Sequence, residues 1–422
     1  MSQLGASEIN IVLLALGGLV IVLGLFSGFL KERLFLSDPL VALLVGVTLS
    51  PAVFGWIDLA HWGSPEGILE EGARLAISIQ LMGVALRLPK AYPLKHWRSL
   101  SLLLGPVMLL MWLSSGLLVW LILGLPFWAS MLVGSVITPT DPVVSTSVVT
   151  GKIAERNLPE RIRHTLSAES AANDGLAYPF VLLPILILTK RPGEALFDWL
   201  TKTLLWEVLA AVILGAILGW AAGQLLQWAE AKKTIDKQSF LAYSVSLSLT
   251  VLGLVKLLGG DGILAVFAAG TVFNMVVSGH ERAEEGKVQE AVDRFFTMYI
   301  FVLLGLALPW EKWLELGWRG LFLAVAVLLL RRLPAVVALR KFLPRLQGLQ
   351  DALFVGWFGP IGAAALFYAM LSQRATGVEE AWAVGSLIIC ASILAHGLTA
   401  VPLTKLYGKR VQSASGLPEG AK

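Results

Sequence analysis

The sequence predicts an all-α polytopic membrane protein with 13 transmembrane helices, and three observations lead there. First, 56% of the 422 residues are hydrophobic and only 15% are charged, more apolar surface than one water-soluble core can hide. A mean hydropathy of +0.76 agrees. Second, the charges gather in short clusters between apolar runs, each run long enough as a helix to cross about 30 Å of hydrocarbon. Third, the basic residues favour alternate loops, as orientation in a membrane requires.

Taken in order, the apolar runs place helices near 9-30, 38-56, 66-87, 98-124, 127-150, 162-189, 201-229, 239-257, 260-279, 291-308, 318-340, 350-372 and 380-407. No basic residue precedes the first run and no cleavage site follows it, so it reads as a retained helix. Lys and Arg crowd the loops at 31-33, 87-98, 152-163, 232-237, 282-287, 340-345 and 405-422. The opposite loops carry only Lys190, Arg191, Lys202, Lys256, Lys312, Arg319 and Arg374. A missed helix would invert every later loop, so this asymmetry tests the count independently. It predicts an inner or plasma membrane location with the N-terminus outside and the C-terminus cytoplasmic. Tryptophans near helix ends, among them Trp56, Trp97, Trp128, Trp199 and Trp310, fit an interfacial belt.

These features exclude several classes. The net charge of +4 belongs to loop topology rather than to nucleic-acid binding. The one cysteine, Cys390, rules out an internal disulfide and any CxxC site. His61, His96, His164 and His280 lie in loops at no metal-ligand spacing, so no cofactor is expected, and the short tail after Tyr407 leaves no room for an enzymatic domain.

Thirteen helices divide into two six-helix units with the seventh between them, which must then lie in opposite orientations. Such inverted repeats suit alternating access around a midplane site. Two interruptions strengthen the idea. Thr138-Pro139-Thr140-Asp141-Pro142 breaks the fifth helix and Gly356-Trp357-Phe358-Gly359-Pro360-Ile361-Gly362 breaks the twelfth. They occupy the same place in each unit.

Paired prolines open a helix for about a turn, and irregular backbone at membrane depth is tolerated only where it faces a cavity or protein. Asp141 sits in the first break; the bland alternative is a kinked helix with a polar plug. In the sixth helix, Glu169-Ser170-Ala171-Ala172-Asn173-Asp174 follows the basic cluster ending at Arg163. At 1.5 Å per residue Asp174 lies roughly 16 Å beyond that cluster, near the bilayer centre. Acids at that depth are functional candidates. Ser170 and Asp174, four apart, share one face, and Glu169 and Asn173 share another. This divides the acids into one for substrate and one for structure. Glu169 has a natural partner in Arg332, with Arg331 as the alternative; snorkelling to the surface would be the reading without a pair. Asp174, with no arginine, can trade a proton for a cation. Desolvation favours its protonated form and a bound alkali ion favours its ionised form, so the two ligands compete. Thr140, Asp141, Ser170 and Asp174 supply the oxygens a hard cation wants. Glu71 either pairs with Arg74, three residues on, or lines the cation's way in. His396 reads as a hydrogen-bonded packing residue, Asp261 as a helix start and Asn274 as an interhelical hydrogen-bonding residue.

Thr138-Pro139-Thr140-Asp141-Pro142-Val143, Glu169-Ser170-Ala171-Ala172-Asn173-Asp174-Gly175, Arg332-Leu333-Pro334, Phe358-Gly359-Pro360-Ile361-Gly362 and His396-Gly397-Leu398-Thr399 together resemble the monovalent cation:proton antiporter-1 family, the NhaP-type exchangers. Ala177-Tyr178-Pro179-Phe180 and Phe354 to Pro360 resemble in particular the fungal plasma-membrane sodium exporters and their bacterial relatives. The resemblance implies exchange of Na+ or Li+ for H+. It also implies crossed discontinuous fifth and twelfth helices and a homodimer. A transport domain would be built from 98-189 and 291-407 in part, and a dimerisation scaffold from 9-87 and 201-279 in part. In the family's terms Asp174 binds cation or proton with Ser170 and the Thr140 backbone, Asn173 steadies the broken helix, and Glu169 pairs with the arginine. Asn173 in place of an aspartate resembles members that exchange one for one, and the lack of a long tail favours a prokaryotic origin.

Three alternatives stay open at this point. A K+/H+ exchanger would use the same site. An intramembrane aspartyl hydrolase would use Asp141 and Asp174 as a dyad, though no GxGD-type motif surrounds either. A channel would not need two broken helices.

Overall fold

The computed structural model describes residues 6–232, 242–277 and 279–415, and among them no strand occurs. The helices are α1 (Ala6–Arg33), α2 (Asp38–Leu49), α3 (Pro65–Arg87), α4 (Trp97–Leu123), α5 (Phe127–Val136), α6 (Pro142–Val149), α7 (Glu160–Thr189) and α8 (Pro192–Ala231). They continue as α9 (Tyr243–Leu257), α10 (Gly262–Val276), α11 (Gly279–Leu306), α12 (Trp310–Leu330), α13 (Leu333–Leu339), α14 (Leu349–Trp357), α15 (Ala363–Thr376) and α16 (Glu380–Ser415). By length and composition α4, α7, α8, α16 and the stretch Trp310–Phe342 are able to cross a membrane, with shorter apolar helices among the rest.

Local chemistry sets the ends. Ser64 caps α3 by accepting a hydrogen bond from the Gly67 N–H, with Pro65 in the first turn. Gly124 and Gly377 end α4 and α15 in the left-handed conformation, with φ of 75° and 72°.

Several boundaries differ from the sequence reading. Residues 282-287, expected as a loop, lie within α11. Helix α12 starts at Trp310, not near 318, and bends at Gly317, where φ is +52°. The expected run 318-340 stops at Leu330 and restarts at Leu333, since Pro334 has no N–H to donate to a carbonyl of the preceding turn. The helix expected at 239-257 is described from Tyr243; its first residues, and most of the loop 232-237, lie outside the described residues.

Small residues let the helices close. Gly46 of α2 faces the Val302 carbonyl, and Gly305 of α11 faces the Leu43 carbonyl, so any side chain at either would collide with backbone. Gly215 and Gly219 of α8 sit on the Ala265 and Ala269 backbone of α10. Residues 291-308, grouped by sequence with the transport helices, therefore pack against α2 and α3. The outward faces of α1 and α8 are apolar, with Leu14, Ile21, Leu25, Leu205, Ile213 and Ile217 exposed.

Candidate functional site

The breaks between α5 and α6 and between α14 and α15 meet inside the molecule. The Asp141 N–H donates to the Pro360 carbonyl at 2.7 Å, tying one break to the other. Its carboxylate then serves two helix starts: Oδ1 accepts from the Val144 N–H at 3.0 Å and Oδ2 from the Ala363 N–H at 2.6 Å. Gly362 is required there, because a Cβ would fall on the Asp141 carboxylate. Helix starts carry unpaired N–H groups and partial positive charge, so one buried anion satisfies both.

Arg331 does the converse. Its Nη1 donates to the carbonyls of Ile137, Thr138 and Pro139 at 2.7, 2.9 and 3.3 Å, and its Nη2 donates to the Gly359 carbonyl. These are the unpaired carbonyls that end α5 and α14. Arg331 was weighed in the sequence only as an alternative partner for Glu169; here it neutralises two helix ends instead.

Glu169 and Arg332 form a two-pronged pair at 2.7 and 3.0 Å, both side chains only 2% exposed. From this pair a hydrogen-bond chain runs into the α5–α6 break. Asn173 Nδ2 donates to Glu169 Oε1 at 2.9 Å and to Thr140 Oγ1 at 2.6 Å, while Asn173 Oδ1 accepts from the Thr140 N–H at 2.9 Å. Thr140 Oγ1 donates to Ser170 Oγ at 3.2 Å. Asn173 is thus fully used in holding Thr140, and its two-ended amide is what lets one residue bridge a carboxylate and a backbone N–H.

Asp174 stands apart. It is 1% exposed, yet neither carboxylate oxygen has a hydrogen-bond partner among the described residues. Such a group is costly unless it holds a proton or a cation. Ser170, one turn earlier on the same helix face, points its hydroxyl into the same region as Thr140. Tyr368 of α15 donates to the Asp174 backbone carbonyl at 2.6 Å. A buried tyrosine hydroxyl needs an acceptor, but nothing in the spacing of Tyr368 pointed to α7.

Two residues at the periphery are placed differently. Glu71 pairs with Arg74 and its side chain is 62% exposed. Its neighbour Glu70, turned inward by one helical step, binds Arg374 of α15 at 2.8 and 2.6 Å. His396 is buried with its ring nitrogens 2.9 Å from the Ser392 carbonyl and 3.0 Å from the Trp357 carbonyl, against the end of α14. Asp261 caps α10 through Ile263 and Leu264, and Asn274 donates to the Ala85 and Leu88 carbonyls of the α3 end.

Residues 18–406, which include every group just described, match the family described as sodium/hydrogen exchanger, transmembrane. The chain belongs to the sodium/hydrogen exchanger family. A Na(+)/H(+) antiporter 2 of Zygosaccharomyces rouxii is 38% identical over 88% of this exchanger-family chain, and a Na(+)/H(+) antiporter of Saccharomyces cerevisiae is 37% identical over 88%. The chain spans 47% and 38% of those two relatives, about half or less of their length. It spans 92% of a Na(+)/H(+) antiporter of Schizosaccharomyces pombe, at 29% identity. The fold is that of the sodium proton antiporter of Methanocaldococcus jannaschii, with a TM-score of 0.72 over 95% of this chain and all of that one, at 19% identity.

Proposed function

We propose that this exchanger-family chain is a secondary active transporter, not an enzyme, that moves Na+ or Li+ against H+ by alternating access, the two competing for Asp174. The observation that carries the reading is a buried carboxylate with both oxygens unpartnered, beside a broken-helix crossing whose own charges are already neutralised by Asp141 and Arg331. With those charges balanced, Asp174 is the group whose charge changes during a cycle. Ser170 Oγ and the oxygens of Thr140 complete a cation's coordination, while Asn173, Glu169 and Arg332 hold the broken helix. Asp141 belongs to the scaffold of the site rather than to the first ring of ligands.

Two helix starts sharing one anion and two helix ends sharing one cation support a pair of inverted units crossing at the midplane within 13 membrane spans. The loop charges support an N-terminus outside, a C-terminus in the cytoplasm and residence in the plasma or inner membrane. The exposed apolar faces of α1 and α8 support a homodimer in the bilayer. K+ is the second candidate cation, favoured by a 25% identical relative from Shewanella oneidensis named K(+)/H(+) antiporter NhaP2.

The test is purified protein in liposomes with an imposed pH gradient and an internal fluorescent pH reporter. Added Na+ or Li+ collapses the gradient, K+ does so if the second candidate holds, and Asp174→Asn and Asp174→Ala abolish the response. Gradient collapse that needs no alkali cation would reject antiport.

A further inference from the structure

A second pair of buried acids lies beside the first site, on helices the exchange cycle has not used. Glu207 of α8 and Asp261 at the start of α10 are 6% and 4% exposed. The Asp261 N–H donates to the Glu207 carbonyl at 2.7 Å, which fixes the two residues next to each other. Asp261 Oδ1 is committed to the Ile263 and Leu264 N–H groups, whereas Asp261 Oδ2 and Glu207 Oε2 are buried without a hydrogen-bond partner among the described residues. Capping α10 needs only Asp261 Oδ1, so the desolvation of Asp261 Oδ2 and Glu207 Oε2 is left uncompensated among the described residues.

The pair is joined to Asp174 by packing and by hydroxyls. Gly175 brings α10 against α7: a Cβ there would lie 2.8 Å from Leu264 Cα. Tyr178, one turn beyond Asp174 on the same face of α7, lies beside both Glu207 and Asp261. Tyr368 lies beside Asp261, Tyr178 and Asp174. In the other direction Lys202, 67% exposed, stands 3.8 Å from Glu207 Oε1, at the face where α7 ends and α8 begins. Lys256 of α9 is the other cation that Asp261 feels.

We propose that Glu207 and Asp261, with the Tyr178 hydroxyl, form a waiting station for the transported alkali cation on its route between the Lys202 face and Asp174. The two free carboxylate oxygens and the hydroxyl are the hard donors such an ion requires, and Lys202 sits at the rim as a displaceable counter-charge. The station rests on the antiport reading and adds a sided route to it.

Right-side-out and everted vesicles present opposite faces of the protein and test this directly. Asp261→Asn, which keeps a capping oxygen for α10, and Glu207→Gln are measured singly and together. From the Lys202 face the apparent KM for Na+ rises roughly five- to tenfold, the size expected for losing a nearby charge in a partly buried path. From the opposite face it is unchanged, and Vmax stays within about twofold because a pre-binding step is lost rather than the exchange itself. Lys202→Gln, at a position two-thirds exposed, lowers the KM from that same face. No change from either face, an equal rise from both, or no effect of Lys202→Gln overturns the station. Na+-driven exchange by the wild-type protein and its loss in Asp174→Asn are read in the same vesicles, so failure of antiport itself is distinguishable.

Discussion

At the scale of single residues, the acids near the crossing divide by what already holds them. Glu169 is committed to Arg332 and Asn173, so its removal leaves a guanidinium buried and unpaired, which costs about 3–5 kcal/mol. Glu169→Ala therefore lowers the yield of monodisperse protein and its thermal midpoint, while whatever folds keeps its apparent Na+ affinity; a normal yield with a shifted affinity would contradict the structural assignment. Asp141 serves two helix starts, so Asp141→Ala removes two caps at roughly 1 kcal/mol each, and Asp141→Asn loses less because it still accepts hydrogen bonds. The order wild type, Asn, Ala in thermal midpoint checks this. Away from the membrane core, His61 Nδ1 lies 2.8 Å from Glu8 Oε1 and the Trp62 indole donates to the same carboxylate. The Glu8 hydrogen bond raises the His61 pKa above the usual 6.5. The stabilisation is thus fully present below the ordinary histidine value and is lost as pH rises through the raised one. Protease access or hydrogen exchange at the start of α1 increases as pH rises across that window in wild type and becomes independent of pH there in His61→Phe.

At the scale of elements, packing in this chain depends on glycines where helices touch backbone to backbone. Gly219→Leu drives a side chain into the Ala269 carbonyl, and the helices of α8 and α10 must separate. Overpacking of this kind costs about 1–3 kcal/mol, so the thermal midpoint falls. The route of the waiting station also distorts, because Asp261 begins α10. Gly253 of α9 has open space around it, and Gly253→Leu serves as the tolerated control. A fall for both would mean that α8–α10 contact is not what limits stability.

At the scale of the whole molecule, the exchange reading needs a membrane, two access states and, in the proposed arrangement, a second copy. The outward residues of α1 and α8 are large and apolar over most of their length, whereas a monomer in water would not expose them. Lipid covers such residues in a bilayer, and in the proposed dimer a second copy covers part of them. Mass measurement in mild detergent gives twice the chain mass, and cysteine pairs introduced singly at Leu14 or Ile217 in a Cys390→Ser background cross-link between copies at whichever face forms the interface. A chain that stays monomeric in both detergent and nanodisc contradicts the dimer.

Much was legible in residue order because lipid is an uncompromising solvent. Apolar run length is what a bilayer demands, whereas the Pro139–Pro142 break, the Gly356–Gly362 break and the acids of α7 violate what it tolerates, so each stands out without any coordinates. What residue order left open was pairing between distant segments. Which arginine meets Glu169, the double capping by Asp141, the reach of Tyr368 to α7 and the nearness of Glu207 to Asp261 depend on contacts between residues far apart in the chain, and local spacing carries no information about those distances. The tertiary structure decided them, and with them which buried carboxylates have a partner among the described residues and which do not.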